Sequence, residues 1–230
     1  MSARPLLAHR RVASAVATVA FAAMVILGVR YSGMRRPGRF DHAIDRRIER
    51  GFASHPFLLQ HVINLATPSN AVAMCALLCV LFVLAGRSRL AALVIAGPAL
   101  SGVLVDVVLK PVFDRRLAGA LSYPSGHTAA AASIALVVVV AMIGPSRPPW
   151  PAAVRYGIAA LAAVAAGLVA AALIAGGYHY ATDTIGGLLA AVAFVLGAAV
   201  SIDALAGGPR SVDQEQHVSA DDAVLPRVKA

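Results

Sequence analysis

The sequence predicts an all-α fold, a six-transmembrane-helix bundle with an interfacial amphipathic helix between the first and second spans. Its composition is 59% hydrophobic and 13% charged, whereas a soluble domain is about half apolar and a quarter charged. Apolar stretches that approach the ~20 residues needed to cross a membrane recur six times. A length of 230 residues fits one such bundle rather than two domains.

The first span follows Arg10 and Arg11, and its apolar run exceeds the roughly 7–15 residues of a signal peptide, so we expect an anchor helix. The second span is short and is expected to extend back towards Pro68. Alanine and glycine are frequent in the spans and allow helices to approach closely. The six spans are predicted at 12–29, 71–86, 90–109, 127–144, 154–175 and 185–206.

A polar segment separates the first two spans. Ile44, Ile48 and Phe52 fall at helical spacing in it, and charged residues occupy the rest of the wheel. This pattern predicts an amphipathic helix in the membrane interface. Such a helix acts as a connector or as a lid over a lipid site.

Residues 1–206 are interpreted as one membrane-embedded domain, with its core motifs at 100–200. Residues 207–230 form a polar tail that is expected to be disordered and cytoplasmic. Lys and Arg divide equally between the two sides, so orientation rests on the charges of short loops near helix ends. Arg87 and Arg89, together with the arginine-rich start, favour cytoplasmic termini.

The net charge is +9, and only Lys110 and Lys229 among the 20 basic residues are lysines. Because no basic stripe lies on a soluble domain, nucleic acid is excluded as a partner, and membrane lipids or a lipid phosphate are favoured. Cys75 and Cys79 lie in an apolar run and are interpreted as small hydrophobes. Their i, i+4 spacing could suit a metal, but neither a zinc spacing nor a disulfide framework is present, so no metal and no cofactor are expected.

The loops after the third and fifth spans are separated by two helices, so they open on the same side of the membrane. They cover 110–128 and 176–187 and collect the unusual polar residues at the membrane boundary. In the first loop, Ser125 is a good N-cap and Gly126 permits close approach to the backbone. The free N–H groups of that helix start form an anion site beside His127. The alternative is a capped helix with an interfacial histidine.

In the second loop, His179 and Asp183 have i, i+4 spacing. The carboxylate is expected to accept a hydrogen bond from the imidazole and to make its other nitrogen a better nucleophile or base. The alternative is an interfacial pair that holds helix ends.

Lys110, Arg115 and Arg116 end the third span, where they can clamp phosphate oxygens or simply anchor the helix at the interface. Asp106 lies within that span, and we expect it to pair with Lys110.

These groups together predict a phosphate-cleaving site without metal. The order Lys…Arg, then PSGH, then HxxxD, on a six-span chain, resembles the type 2 phosphatidic acid phosphatases. These membrane enzymes belong to the lipid phosphatase and vanadium haloperoxidase superfamily. The resemblance covers roughly residues 100–200.

The resemblance implies that His179 is the nucleophile that forms a phosphohistidine, that Asp183 orients it, and that His127 is the general acid. It implies that a second set binds the phosphate, namely Lys110, Arg115, Arg116, Ser125 and Gly126, with Arg115 preferred to Arg116. The sequence departs from the family pattern in two of its motifs. Leu117 and Ala118 replace an Arg-Pro pair, and Leu173 replaces an arginine of the third motif. We hypothesise that Arg116 or an arginine of the 30–50 segment fills the gap.

The favoured function is hydrolysis of a lipid phosphomonoester or diphosphate on the extracytoplasmic face of the plasma membrane. The arginine- and alanine-rich composition is typical of a GC-rich bacterium, which favours a polyprenyl phosphate or diphosphate, or a polyprenyl-linked sugar phosphate, of cell-wall synthesis. Phosphatidylglycerophosphate and phosphatidic acid are further options. The alternatives are a catalytically weakened relative that binds lipid phosphates and a lipid-to-lipid phosphotransferase. A transporter is disfavoured because only Asp106 lies clearly within a span. The oligomeric state stays open.

Overall fold

A computed structural model describes residues 4–65 and 67–206, and it confirms the all-α bundle. A π-helical segment, Leu104–Leu109, joins α5 to α6, and a short antiparallel hairpin of β1 (Arg116–Leu117) and β2 (Ala120–Leu121) follows. The hairpin was not predicted. The helices are α1 (Arg10–Tyr31), α2 (Arg39–Phe52), α3 (Pro56–Leu65), α4 (Pro68–Leu84), α5 (Ser88–Val103), α6 (Lys110–Phe113), α7 (Gly126–Ile143), α8 (Ala152–Ala175) and α9 (Ala181–Leu205). The predicted tail at 207–230 lies outside the described residues.

Five helical stretches are long and apolar enough to cross a membrane: α1, the continuous stretch Ser88–Phe113, α7, α8 and α9. The predicted second span corresponds to α4, which begins at Pro68 because proline fits the first turn of a helix. A sixth span exists only if α4 is combined with α3, from which it is bent by 57°. The count of six therefore stays a prediction.

Helix α9 lies at the centre of the bundle, where it packs against α1, α5 and α7. Its buried face is built from small side chains, including Ala190, Ala191, Ala198 and Ala199. Side chains of this size let neighbouring backbones approach closely, which is how helices pack without a hydrophobic driving force. This packing fixes the first turn of α9 relative to the first turn of α7.

Helix α2 is the predicted amphipathic helix, and it packs against α8 and α9. The face that it buries differs from the expected one. Asp41 and Asp45 are buried, whereas Ile44 and Ile48 are only half-buried. Since isolated carboxylates are costly to bury, these two require specific partners in the bundle.

Candidate active site

The loops that precede α7 and α9 meet at one end of the bundle. The backbone N–H of Ser125 donates to the carbonyl oxygen of Asp183 at 2.9 Å. A Cβ atom added to Gly187 would lie 2.5 Å from the Ser125 carbonyl oxygen, so only glycine permits this approach. The two loops that the sequence placed on one side of the membrane therefore form a single site.

His127 and His179 face each other across this site. His127 lies in the first turn of α7 and is half-buried, and His179 lies in the turn before α9 and is 8% exposed. Their ring centroids are 6.5 Å apart, with 55° between the ring planes. Each imidazole thus stands next to the N-terminus of a long helix.

Asp183 lies in the first turn of α9, where its carboxylate already has two partners. Oδ2 accepts from the backbone N–H of Tyr180 at 3.0 Å, and Oδ1 accepts from Arg115 Nη1 at 2.6 Å. The distance from His179 Nδ1 to Asp183 Oδ2 is 3.8 Å. This is longer than a hydrogen bond, so the hydrogen bond expected from the spacing is not formed in this structure. The i, i+4 spacing misled because His179 precedes the helix and does not share its face.

Arg115 is completely buried and is held by carboxylates from two helices. Besides its bond to Asp183, Nη1 donates to Thr182 Oγ1 at 2.5 Å, and Nη2 donates to Asp41 Oδ2 at 2.6 Å. Asp41 was not identified from the sequence. Its pairing spans 74 residues along the chain.

The guanidinium of Arg115 is also enclosed by aromatic rings. It lies 4.6 Å from the ring centroid of Tyr31 and 4.6 Å from that of Tyr180, within the range of cation–π attraction. Burial raises the pKa of the Tyr180 hydroxyl, so the ring beside the guanidinium is uncharged at physiological pH. Arg115 is therefore surrounded by protein groups on all the sides that these contacts define, and its phosphate-binding role stays a prediction.

Two carboxylates of α2 cap the first turn of α9. Asp41 Oδ1 accepts from Thr182 N at 3.0 Å, and Asp45 Oδ1 accepts from Ala181 N at 3.0 Å. Acidic groups are favourable at this end of a helix. Burial raises the pKa of Asp45 to about 6; the hydrogen bond from Ala181 opposes the shift, and the nearby Asp41 carboxylate adds to it. The i, i+4 spacing of two acids in a mostly basic helix was the available sequence signal.

Lys110 and Asp106 form the expected ion pair, with 2.6 Å between Lys110 Nζ and Asp106 Oδ1. A Cβ atom on Gly126 would lie 2.8 Å from Asp106 Oδ1, so the glycine admits this carboxylate to the start of α7. Asp106 belongs to the π-helical segment, a rare conformation that is frequent at functional sites. The carboxylate thus lies where the sequence predicts an anion.

Ser125 is the N-cap of α7, as predicted, and its Oγ accepts from Thr128 N at 3.3 Å. Arg116 lies on β1 and pairs with Asp114 at 2.8 Å, while its Nη1 donates to the Gly119 carbonyl oxygen at 3.1 Å. Its contacts are therefore with its own hairpin rather than with the histidines.

A groove of about 670 Å³ leads from the site between α4, α5 and α7. Its walls are apolar and include Val72, Ile95 and Pro98, whereas Lys110 and His127 line its polar end. Such a shape fits a ligand with an apolar body and a polar head. Within residues 4–65 and 67–206, no group of three or more His, Cys, Asp or Glu residues has the arrangement of a metal site.

The described residues thus form an all-α membrane bundle in which two histidines, a lysine and the capped N-terminus of α7 lie close together beside an apolar groove. Residues 108–205 match the model of the PAP2 superfamily. This confirms the resemblance inferred from the motifs. The chain is also similar to the crystal structure of a transmembrane PAP2-type phosphatidylglycerolphosphate phosphatase from Bacillus subtilis. The TM-score is 0.63 and the identity 19%, over 85% of this chain and 98% of that one. No curated protein matches the sequence.

Leu117 and Leu173, the two positions at which the family pattern has an arginine, differ in their surroundings. Leu117 lies on β1 and is half-buried. Leu173 is 1% exposed and packs against Val62 and Ile63 of α3. An apolar helix contact therefore stands where the third motif usually has an arginine.

Proposed function

We propose that the protein is a membrane lipid phosphatase that hydrolyses a lipid phosphomonoester or diphosphate through a phosphohistidine intermediate. The match of residues 108–205 to the PAP2 superfamily model supports a phosphatase, and the structurally similar protein from Bacillus subtilis is named as a phosphatidylglycerolphosphate phosphatase. The observation that carries the mechanism is the pair of imidazoles of His127 and His179, whose centroids are 6.5 Å apart, with His127 lining the polar end of the groove.

His179 is the proposed nucleophile, and it attacks through Nε2 because Nδ1 faces Asp183. The N–P bond forms while the P–O bond to the lipid breaks, and His127 donates a proton to the departing oxygen. Water then attacks the phosphohistidine, His127 takes the proton of that water, and inorganic phosphate leaves. Movement of Asp183 towards Nδ1 by less than 1 Å would complete a hydrogen bond to the imidazolium.

The phosphate group is proposed to bind at the start of α7. Lys110 supplies the positive charge, and the N–H groups of the first turn, beginning at Gly126, supply donors that point along the helix dipole. Asp106 must release Lys110 for this purpose, since a carboxylate and a phosphate repel each other at that distance. Asp106 is therefore proposed to hold the lysine in place until substrate binds.

Arg115 is proposed to position Asp183 rather than to bind substrate, and Asp41 is proposed to fix Arg115. Two short ion pairs and two aromatic rings, each 4.6 Å from the guanidinium, restrict the orientation of the Arg115 side chain. Ser125 is proposed to shape the phosphate site as the α7 N-cap, and Arg116 to remain with the hairpin. Lys110 is therefore the cation that is proposed to contact the phosphate.

The lipid chain is proposed to occupy the apolar groove, which reaches Lys110 and His127 from the membrane-facing side of α4 and α5. A polyprenyl phosphate or diphosphate remains the favoured substrate on compositional grounds, with phosphatidylglycerophosphate and phosphatidic acid as alternatives. The termini are proposed to be cytoplasmic and the site extracytoplasmic. Both α1 and α9 extend from the site to the opposite end, which agrees with both termini lying on one side.

The test is phosphate release from a panel of lipid phosphates and diphosphates by the purified protein in detergent with EDTA. His179→Ala is measured beside the wild type, and a lipid alcohol is added in one arm as a phosphate acceptor. Release that disappears in His179→Ala supports the proposal. Lipid binding without release identifies a catalytically weakened family member, and a phosphorylated alcohol identifies a phosphotransferase.

A further inference from the structure

We propose that the end of the bundle opposite the candidate active site binds the phosphate of an anionic lipid headgroup. This inference does not depend on the proposed phosphatase function. The loop between α4 and α5, the loop between α7 and α8, and the N-terminal segment enclose a pocket of about 540 Å³ there. Four arginines line the pocket: Arg4, Arg87, Arg89 and Arg147.

The pocket carries an excess of positive charge. Among the described residues, Asp203 is the only acidic one at this end of the bundle. It is 3% exposed and already accepts hydrogen bonds from the backbone N–H groups of Leu6 and Leu7. Its one ion pair is with Arg89, at 3.3 Å. Asp203 therefore balances Arg89 and leaves the charges of the other three arginines for a ligand.

The walls of the pocket are held by specific contacts. Ser146 Oγ donates to the carbonyl oxygens of Arg4 and Pro5, which ties the N-terminal segment to the α7–α8 loop. Leu6 is 1% exposed and anchors that segment in the core. The alternative is that these arginines only reflect the excess of basic residues at the cytoplasmic surface of membrane proteins. That excess accounts for the positive charge but not for a pocket.

A helix start adds donors to the arginines. Helix α5 begins at Ser88, which lines the pocket, and no side chain caps its first turn. The free N–H groups of a helix start and the positive end of its dipole attract anions. Guanidinium groups match phosphate oxygens in fork geometry, so a phosphate is the favoured anion.

The position of the pocket favours a lipid as the source of that phosphate. It lies at the ends of membrane-spanning helices, where headgroups are found, and basic pockets between such helices bind anionic headgroups. A free phosphate offers the same oxygens but lacks the acyl chains that hold a lipid in the adjacent bilayer. The two sources are therefore separated by experiment.

The experiment measures lipid binding to the purified full-length protein by native mass spectrometry, with phosphatidylglycerol, phosphatidylcholine and inorganic phosphate as probes. Arg87→Gln, Arg147→Gln and the double variant are compared with Arg11→Gln. Neither Arg87 nor Arg147 forms a side-chain hydrogen bond or ion pair with another described residue, so folding is expected to be unaffected. Arg11 is exposed at the same end but does not line the pocket, and it controls for surface charge.

Each arginine near the surface contributes about 1 kcal/mol to anionic lipid binding, which corresponds to roughly a fivefold change. We expect about a fivefold loss of phosphatidylglycerol binding in each single variant, about 25-fold in the double variant, and less than twofold in Arg11→Gln. An equal loss in Arg11→Gln would show diffuse surface attraction and overturn the proposal. Equal affinity for phosphatidylcholine, or phosphate binding as tight as lipid binding, would overturn the lipid assignment.

Discussion

Removal of the Arg115 charge tests whether this arginine positions Asp183 or binds substrate. In Arg115→Gln, two buried carboxylates, Asp41 and Asp183, lose the cation that lies 2.6 Å from each. Breaking a buried ion pair by removing one partner costs about 3–5 kcal/mol, because a charge remains buried without compensation. Total stabilities are about 5–15 kcal/mol, so the variant is expected to fold but to unfold at a clearly lower temperature.

The matched control is the neighbouring residue. Arg116 also pairs with a carboxylate, Asp114, at 2.8 Å, but its side chain is 37% exposed. Exposed ion pairs contribute about 0–1 kcal/mol, so Arg116→Gln is expected to change the unfolding temperature little. Thermal unfolding of both variants in the same detergent gives the comparison.

The double variant Arg115→Gln/Asp41→Asn separates the two roles of Arg115. If the arginine compensates Asp41, removal of that carboxylate relieves one of the two unpaired charges, and the double variant is more stable than Arg115→Gln alone. Contacting residues show coupling of about 0.5–3 kcal/mol in such cycles. A substrate clamp predicts no coupling in stability and a loss confined to turnover. Equal destabilisation in the Arg115 and Arg116 variants, or additive effects in the double variant, would refute the positioning role.

Three further perturbations follow from the geometry. Asp106→Asn is expected to lower KM for a lipid phosphate several-fold, because it frees Lys110 and removes a charge of the same sign as the phosphate. Asp114→Asn, which removes the carboxylate paired with Arg116, is the control. An unchanged or raised KM in Asp106→Asn would contradict the proposal that Asp106 holds Lys110 until substrate binds. Gly187→Ala is expected to abolish activity and lower the unfolding temperature, since the added Cβ meets the Ser125 carbonyl oxygen, whereas Gly197→Ala, in open space on the same helix, should be tolerated. Burial raises the pKa of Asp45 from 3.8 to about 6 in the folded protein, so folding favours the protonated carboxyl. The resulting stabilisation is complete below pH 3.8 and is lost as the pH rises through about 6. The unfolding temperature of the wild type relative to Asp45→Asn should therefore fall between pH 4 and pH 7, and a constant difference would contradict this.

Local patterns in the sequence were sufficient for the features that depend on neighbours in the chain. The capping role of Ser125 follows from its place before an apolar run, and the Asp106–Lys110 pair follows from i, i+4 spacing. The meeting of the two loops follows from the even number of helices between them. Each of these inferences needs only the local helix geometry and the alternation of spans across a membrane.

Features that depend on distant parts of the chain were not accessible in the same way. The partner of Arg115 is Asp41, which lies 74 residues away in the chain, on an amphipathic helix. The spacing in that helix indicates an apolar face and gives no sign that Asp41 is buried. Only the family resemblance favoured Arg115 over Arg116, because local pattern does not show that one residue of shift near the start of β1 turns a side chain from the core to the surface. Similarly, α4 is too short to span by itself, and its combination with α3 depends on a bend that local pattern does not specify.

The two helix N-termini at the site differ in how their positive ends are compensated. The start of α9 is covered by three carboxylates, Asp41, Asp45 and Asp183, each bonded to a backbone N–H group of this helix or of its N-cap. The first turn of α7 contains no acidic residue, and among the described carboxylates only Asp106, whose side chain is 56% exposed and paired with Lys110, lies near it. This difference supports the proposal that the phosphate binds at the start of α7, beside His127 and Lys110.

This asymmetry assigns different roles to the two histidines. His179 lies beside the carboxylate-rich start of α9, where negative charge would stabilise the positive imidazole of the proposed phosphohistidine. His127 lies at the positive start of α7, which favours loss of its proton to a departing oxygen. Because Arg115 is paired with carboxylates, Lys110 and the α7 N-terminus are the groups proposed to hold the phosphate. The absence of arginines at Leu117 and Leu173 is then consistent with catalysis, because the proposed phosphate position lies on the α7 side of the site.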